Sequence, residues 1–272
     1  MVDRPIGRAD IAGYRGILCD LDGVVLRGGR LLDGAVRFAE IVADLGVPLV
    51  FVTNGSWPKE QVVGELAAAG WSIEPHDIVN SGDSIALEAK GSNQPLVAAG
   101  GPGLPVALAA AGIVVAAPEE FPLTGVSGPI VYAVTGEQLF SYESLTWIYR
   151  LVDAGLELLF PSDERYFPLA DGLGPGGGPF LAALREMVPG ARVRICGKPH
   201  PPMVAAVGNR LGGEGPFLMI GDNPDVDLVF AHANGWDCLL VATGAGTPER
   251  IAASTARFTA AGLAAVADTL EA

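Results

Sequence analysis

The sequence predicts an α/β protein built around a parallel β-sheet. Short apolar runs alternate along the chain with segments of helical period, a pattern typical of β-α-β units. The apolar runs are continuous, as expected for parallel strands that are buried on both faces. Hydrophobic residues make up 50% of the 272 residues and charged residues only 18%, so the chain can form a large core and is not intrinsically disordered.

The predicted elements follow one another in a regular order. The first strand covers residues 16–20 and the second covers residues 48–53. Between them, apolar residues recur at helical spacing over residues 34–45, and Gly46 ends that helix. A further helix is predicted to begin near Pro58. Later strands, most of them separated by helices, are predicted over residues 95–99, 113–116, 129–134, 156–160, 192–196, 216–220 and 237–242.

The charge balance limits the partners of the chain. It has 17 Lys and Arg residues against 31 Asp and Glu residues, which gives a net charge of −14. Nucleic acids and anionic membranes need a basic surface, so neither is an expected partner. The first ten residues have no secretory signal pattern, and the chain has no apolar stretch long enough to span a membrane. Three widely spaced cysteines in apolar segments are predicted to be buried free thiols, which fits a cytoplasmic location.

Glycine-rich segments and histidines do not indicate a site by themselves. The segments at residues 100–105, 172–179 and 244–246 lack the full glycine spacing of a dinucleotide-binding loop, and turns or hinges explain them better. With only His76, His200 and His232 present, neither a histidine-based triad nor a histidine metal cluster is expected.

Polar side chains follow four of the predicted strands. Asp20 and Asp22 follow the first strand, and Thr53 and Asn54 end the second. Two later strands are followed by a lysine and by two aspartates, namely Lys198, Asp222 and Asp227. Each could be a turn or helix-cap residue if taken alone. Because the carboxyl ends of parallel strands meet at one edge of a sheet, the combination predicts a single site there.

The residue types at this edge suit phosphate chemistry. Asp20, Asp22 and Asp222 would crowd negative charge, and a hard cation such as Mg²⁺ would relieve the repulsion. Lys198 adds a positive charge, while Thr53 and Asn54 can donate hydrogen bonds to phosphate oxygens. An anion held by a metal, a lysine and neutral donors is the usual arrangement for phosphoryl transfer.

Taken together, these motifs resemble those of the haloacid dehalogenase (HAD) superfamily. The resemblance rests on Asp20-Leu-Asp-Gly-Val, Thr53-Asn54, Lys198 and Gly221-Asp222-x4-Asp227. The strings Phe51-Val-Thr-Asn-Gly-Ser, Gly197-Lys-Pro and Gly221-Asp-Asn are similar to the class IIA, 4-nitrophenylphosphatase-like branch. The separation between residues 54 and 198 is too long for one connection. The resemblance implies a Rossmann-like parallel-sheet core over residues 1–85 and 191–272, with an inserted α/β cap domain over residues 86–190.

The resemblance also implies a mechanism. Asp20 would be the nucleophile that forms an aspartyl-phosphate, and Asp22 would be the general acid and base. Mg²⁺ would be held by Asp20, Asp222 and the backbone carbonyl of Asp22, while Asp227 would orient metal-bound water or Lys198. The expected activity is Mg²⁺-dependent hydrolysis of a small-metabolite phosphomonoester of the sugar phosphate, nucleotide, pyridoxal phosphate or glycerol phosphate type. The carboxylate at Asp22 favours a phosphatase over a dehalogenase.

Two other functions are compatible with the same residues. A phosphotransferase or mutase would pass the phosphoryl group from the aspartyl-phosphate to a second alcohol. A non-catalytic module would bind a phosphorylated ligand without turnover. Phosphate release, phosphate transfer and binding without reaction distinguish the three.

Substrate specificity is expected to come from the cap. The segment over residues 160–168 is the candidate, and we expect Asp163, Arg165 or Tyr166 to contact the leaving group. In the class IIA branch this region has a Thr-Asn-x-Asp pattern, and here Pro161-Ser162 replaces Thr-Asn. Alternatively, Asp163 caps a turn and Tyr166 packs inside the cap. Many relatives also have an aspartate where this chain has residues 133–136, Ala-Val-Thr-Gly. A homodimer formed through the cap is possible.

Overall fold

The computed structural model describes residues 4–90, 96–100, 103–116, 129–133 and 142–272. These residues form two parallel sheets with helices, and two short antiparallel hairpins. We call the six-stranded sheet the core sheet and the five-stranded sheet the cap sheet.

The core sheet has the strand order β15-β14-β13-β1-β4-β5, and every pairing in it is parallel. Its strands are β1 Gly16–Cys19, β4 Leu49–Thr53, β5 Ile78–Asn80, β13 Phe217–Gly221, β14 Asp237–Val241 and β15 Phe258–Ala260. The central strand β1 therefore lies between β13 and β4, and the residues that follow these three strands meet at one edge.

The cap sheet has the order β12-β9-β8-β6-β7 and is also parallel throughout. Its strands are β6 Leu96–Gly100, β7 Val115–Ala116, β8 Pro129–Ala133, β9 Glu157–Phe160 and β12 Val193–Ile195. Two hairpins accompany the sheets: β2 Leu26–Arg27 with β3 Arg30–Leu31, and β10 Tyr166–Leu169 with β11 Gly172–Pro175.

Helices separate most of the strands. The helices are α1 Arg8–Ala12, α2 Ala35–Asp44, α3 Lys59–Ala68, α4 Ser81–Ala89, α5 Gly103–Ala110, α6 Tyr142–Asp153, α7 Gly177–Met187, α8 Pro201–Leu211, α9 Val229–Ala233, α10 Pro248–Ala252 and α11 Leu263–Glu271. A π-helical turn at Pro224–Leu228 precedes α9. None of the helices in the described ranges is long and apolar enough to cross a lipid bilayer.

The core sheet has an apolar cluster on each face. Successive residues of β1 point to opposite faces, with Ile17 in one cluster and Leu18 in the other. Phe38 of α2 packs on the first face, and Met203 of α8 packs on the second. Because both faces are covered, the strands are continuously apolar, as the sequence predicted. Cys19, Cys196 and Cys238 are buried free thiols, which confirms their predicted state.

The structure confirms the predicted strands within one or two residues over the described ranges. The sequence prediction missed β5 and β15, which are three-residue strands at the two edges of the core sheet. Another prediction was wrong: the strand predicted at residues 192–196 was expected to share the core sheet, yet β12 pairs with β9 in the cap sheet. Residues 134–136, where the sequence lacks an aspartate, lie outside the described residues.

Candidate active site

Asp20 directly follows β1, at the carboxyl edge of the core sheet. Its backbone N–H donates to the carbonyl of Ile220, 2.9 Å away, which fixes the chain against β13. Its Oδ1 accepts a hydrogen bond from the N–H of Leu21 at 2.8 Å and lies 3.0 Å from Lys198 Nζ. The carboxylate is therefore held at one oxygen, between a backbone donor and a lysine.

Lys198 and Asp227 form a buried ion pair behind Asp20. Lys198 Nζ lies 2.8 Å from Asp227 Oδ1, and both side chains are completely buried. The other oxygen of Asp227 accepts the backbone N–H groups of Asp222 and Asn223, at 3.2 and 3.1 Å. Asp227 thus fixes both the lysine and the loop that carries Asp222.

Lys198 reaches the core sheet from the cap sheet, and Asn54 holds it in place. Asn54 Oδ1 accepts the backbone N–H of Lys198 at 2.6 Å, and Asn54 Nδ2 donates to the Lys198 carbonyl at 2.9 Å. A Cβ atom on Gly197 would lie 2.1 Å from the Pro161 carbonyl oxygen, so only glycine fits between these segments. The Asn54 side chain was expected to donate to phosphate. Here it binds the backbone of Lys198 instead.

Three buried carboxylates lie close together. Asp20, Asp222 and Asp227 each offer an oxygen, and these oxygens are all within 4.8 Å of one another. Burial raises the pKa of Asp20 well above its usual range, with Lys198 opposing the rise and Asp227 adding to it. Burial and Asp227 raise the pKa of Asp222 to about 7. One lysine does not neutralise three carboxylates, so the cluster has the charge and the oxygen donors that suit a divalent cation.

Asp222 is packed between two glycines. Its Oδ2 accepts the backbone N–H of Ala245. A Cβ atom on Gly244 would lie 1.9 Å from that oxygen, and one on Gly23 would lie 2.4 Å from it. Gly23 also has a φ of +87°, a conformation that favours glycine. The glycine of the Asp-x-Asp-Gly motif and the glycine after β14 therefore make room for the carboxylate.

Asp22 and Thr53 face the same cavity as Asp20. The Asp22 side chain is accessible to solvent from this cavity. The surrounding protein raises its pKa to about 6, with Lys198 opposing the rise. Thr53 is buried at the end of β4, and its hydroxyl accepts the N–H of Gly55 at 3.0 Å.

The cavity has a volume of about 360 Å³ and lies between the two sheets. The core contributes Asp20, Asp22, Thr53, Asn54, Asp222 and neighbouring loop residues. The opposite wall is formed by the segment after β9, the β10–β11 hairpin and the start of α7. The structure thus brings together all the sequence-predicted core residues, with Lys198 and Asp227 directly behind the cavity.

The three cap residues predicted to contact the leaving group behave differently. Tyr166 lines the cavity, and its hydroxyl accepts a hydrogen bond from Arg250 at 3.1 Å. Asp163 and Arg165 are not among the residues that line it. Asp163 Oδ1 instead lies 3.2 Å from His200 Nε2, and Arg165 is exposed. Of the three candidates, Tyr166 is therefore the one that lines the cavity.

The residues on either side of Asp163 point inward. Ser162 and Glu164 line the cavity, whereas Asp163 does not, as expected where successive side chains point to opposite sides. Glu164 Oε1 accepts a hydrogen bond from Asn54 Nδ2 at 3.2 Å. Burial raises the pKa of Glu164 to about 8, with Lys198 opposing and Asp227 adding to the rise. Sequence reasoning missed Glu164, although counting the Thr-Asn-x-Asp pattern from Pro161 places Glu164 at its fourth position.

Comparisons with known proteins agree with this arrangement. Residues 17–114 match the family model described as haloacid dehalogenase-like hydrolase, and residues 195–272 match a HAD-hydrolase-like model. Over 245 residues, the chain is 29% identical to the acid sugar phosphatase of Staphylococcus aureus, covering 88% of this chain and 90% of that protein.

Solved structures of similar proteins have the same architecture. A thermostable NPPase double mutant from Geobacillus stearothermophilus is 28% identical, with a TM-score of 0.77 over 92% of this chain and 97% of that chain. A glycerol phosphate phosphatase from Mycobacterium tuberculosis, in complex with calcium, is 26% identical, with a TM-score of 0.78 over 94% of this chain and 76% of that chain.

Proposed function

Because the chain belongs to the haloacid dehalogenase-like hydrolases, we propose that it is a Mg²⁺-dependent phosphatase of small phosphomonoesters that works through a phosphorylated Asp20. The observation that carries this proposal is the position of Asp20. It is held by Lys198 and the N–H of Leu21, and it shares one cavity with Asp22.

The first step is attack by Asp20 on phosphorus. Both contacts of the carboxylate are to Oδ1, so we assign Oδ2 as the attacking oxygen. A bond forms between this oxygen and phosphorus, and the ester P–O bond breaks. The leaving alkoxide takes a proton from Asp22, whose raised pKa keeps a protonated fraction available near pH 6. The products are a free alcohol and an aspartyl-phosphate.

The second step returns the enzyme to its starting state. Asp22, now ionised, takes a proton from a water molecule as that water attacks phosphorus. The bond between phosphorus and Asp20 breaks, which releases inorganic phosphate and regenerates the carboxylate. A two-step path replaces one difficult displacement by two easier ones.

The residues present fit a divalent metal. Asp20, Asp222 and the backbone carbonyl of Asp22 would hold Mg²⁺, which would neutralise phosphate charge and stabilise the charge that develops during transfer. Both oxygens of Asp227 are already engaged by Lys198 and by backbone N–H groups. These contacts favour a role for Asp227 in positioning Lys198 and the Asp222 loop, and not in binding the metal directly.

Thr53, Asn54 and Lys198 form the proposed phosphate-binding set. Thr53 would donate its hydroxyl, and Lys198 would supply positive charge beside Asp20. Asn54 acts mainly through its two hydrogen bonds to the Lys198 backbone. The names of the similar proteins, an acid sugar phosphatase and a glycerol phosphate phosphatase, support a small alcohol as the leaving group. The first domain boundary at residue 86, the cytoplasmic location and a homodimer through the cap stay predictions.

Phosphate release from 4-nitrophenyl phosphate and glycerol phosphate tests the proposal. The full chain should be active with Mg²⁺ and lose activity with EDTA. Asp20→Asn should reduce kcat by about 10³-fold or more, because it removes the nucleophile. Asp44→Asn, an equal change at an exposed position of α2, is the matched control.

The outcomes separate the proposed function from its alternatives. Activity that survives chelation, or full activity of Asp20→Asn, would refute the proposal. Transfer of phosphate to an added alcohol without release would identify a phosphotransferase. A phosphoryl group recovered on the peptide that contains Asp20 would support the covalent intermediate.

A further inference from the structure

Outside the position of the transferred phosphate, the substrate cavity contains no positive side chain from the described residues. The lining residues include four carboxylates, Asp20, Asp22, Glu164 and Asp222, but no lysine, arginine or histidine. The segments outside the described ranges contain no such residue in their sequence. They therefore offer no basic side chain to the cavity either.

Three basic side chains around the cavity are engaged elsewhere. Lys198 lies between Asp20 and Asp227, behind the position of the transferred phosphate. Arg250 donates to the Tyr166 hydroxyl and to Asp225. Arg27, beside the cap hairpin, donates to the carbonyl oxygens at residues 169 and 243, at 3.2 Å each. None of these leaves a basic group directed at the leaving-group space.

The wall opposite Asp20 is partly acidic and largely apolar. Glu164 places a carboxyl group on the cap side of the cavity, and this group is an anion above its raised pKa of about 8. Trp57 and Leu169 are large hydrophobic side chains that stay exposed and line this cavity, together with Phe167 and Phe180. Exposed apolar side chains around a cavity commonly mark the surface that a ligand covers. A second anion would lose its hydration here and meet carboxylates without a counter-ion.

We infer that the enzyme accepts monoesters of uncharged alcohols with an apolar face and rejects esters whose leaving group carries a second phosphate or a carboxylate. Glu164 is the specificity-determining residue for this discrimination. This inference rests on the proposed function and narrows its substrate class. Sugar and polyol phosphates satisfy it, whereas phosphorylated carboxylic acids and bisphosphates do not.

Matched ester pairs test this inference. Phenyl phosphate is compared with 4-carboxyphenyl phosphate, and glycerol 3-phosphate with 3-phosphoglycerate, so that each pair differs mainly by a carboxylate. In assays at pH 9, where Glu164 is ionised, we expect kcat/KM to favour the uncharged member on the order of 100-fold, as for leaving one charge without a partner. A ratio close to one in both pairs would overturn the inference.

Variants at residue 164 test whether Glu164 causes the discrimination between charged and uncharged leaving groups. Glu164→Gln should lower the ratio, and Glu164→Lys should lower it further by giving the carboxylate a partner. Glu186→Lys makes the same change in net charge at an exposed position of α7, and should leave the ratio as in the native chain. Equal ratios in the Glu164 and Glu186 variants would contradict the role of Glu164.

Binding separates this inference from the proposed function. The same pairs are titrated into Asp20→Asn by calorimetry, where no turnover is needed. If the native chain hydrolyses neither member of a pair, this result counts against the proposed function but not against this inference. Equal affinity for both members of each pair would then overturn the inference by itself.

Discussion

Lys198 Nζ lies 2.8 Å from Asp227 Oδ1, and neither side chain is accessible to solvent. Lys198→Met would leave two buried carboxylates, Asp20 and Asp227, without their cation. We expect the free energy of unfolding to fall by about 3–5 kcal/mol. Urea unfolding in EDTA measures this change, with the exposed Lys90→Met as control. Loss of 1 kcal/mol or less would show that the carboxylates relax or protonate at little cost.

Gly244 limits the volume around Asp222. Gly244→Ala would add a Cβ atom 1.9 Å from Asp222 Oδ2, so the carboxylate would have to move. We expect Mg²⁺ affinity to fall at least about tenfold, as for displaced groups around a metal ligand. The dependence of activity on Mg²⁺ concentration measures it.

An exposed helical glycine provides the control for this substitution. Gly64→Ala in α3 has open space around the new methyl group, so it should leave Mg²⁺ affinity unchanged and stabilise the fold by about 0.5–1 kcal/mol. Equal Mg²⁺ dependence in both variants would contradict the position of Asp222 proposed for metal binding.

Arg250 joins the cap hairpin to the loop of Asp222. Its guanidinium donates to the Tyr166 hydroxyl at 3.1 Å and to Asp225 at 2.8 Å. We expect Arg250→Met to raise KM about fivefold with little change in kcat. The substitution removes a hydrogen bond that holds Tyr166 at the cavity wall, but it does not affect the contacts of Asp20. Steady-state kinetics measures this split, with the exposed Arg30→Met as control.

A double variant shows whether Arg250 acts through Tyr166. If it does, Arg250→Met combined with Tyr166→Phe should be no worse than the more impaired single variant. Additive losses would mean that the two residues act separately.

The pair of Asp163 and His200 predicts a pH dependence of stability. The hydrogen bond between Asp163 and His200 holds the pKa of Asp163 below its usual range, although burial of Asp163 acts in the opposite direction. A carboxyl with a lower pKa in the folded chain stabilises the fold above its unfolded pKa of about 4. This stabilisation is lost as the pH falls through the lower folded value.

Asp163→Asn should therefore be less stable than the native chain at pH 6, and the difference should shrink as the pH approaches 3. Urea unfolding across this range measures it, with Asp44→Asn as control. A difference that stays constant from pH 6 to pH 3 would show that Asp163 contributes through packing and not through its charge.

Much of the core was predictable because its signals are local. The apolar runs that became β1, β4 and β13 each end in chemically distinctive residues, so the edge that gathers Asp20, Thr53 and Asp222 could be inferred from the order of the chain. The three-residue strands β5 and β15 are too short to give a period, and both were missed.

Other features depend on contacts between distant segments. The segment at residues 192–196, Arg-Val-Arg-Ile-Cys, predicts a strand, but its sequence does not indicate which of the two sheets it joins. Likewise, the direction in which Asp163 and Glu164 point depends on the path of an extended segment over the cavity. A shift of one residue reverses that direction, so the sequence pattern alone pointed to Asp163 although Glu164 is the acidic residue of this segment that lines the cavity.

The placement of β12 means that the cap domain cannot be replaced as an independent unit with boundaries at residues 86 and 190. The chain passes through the cap sheet at Val193–Ile195, and three residues later it delivers Lys198 to Asp20. Excision at residues 86 and 190 would leave β12 without β9, its hydrogen-bonded neighbour. A chimera that transplants a foreign cap must therefore carry its own last strand and its own lysine, and the junction belongs after residue 198.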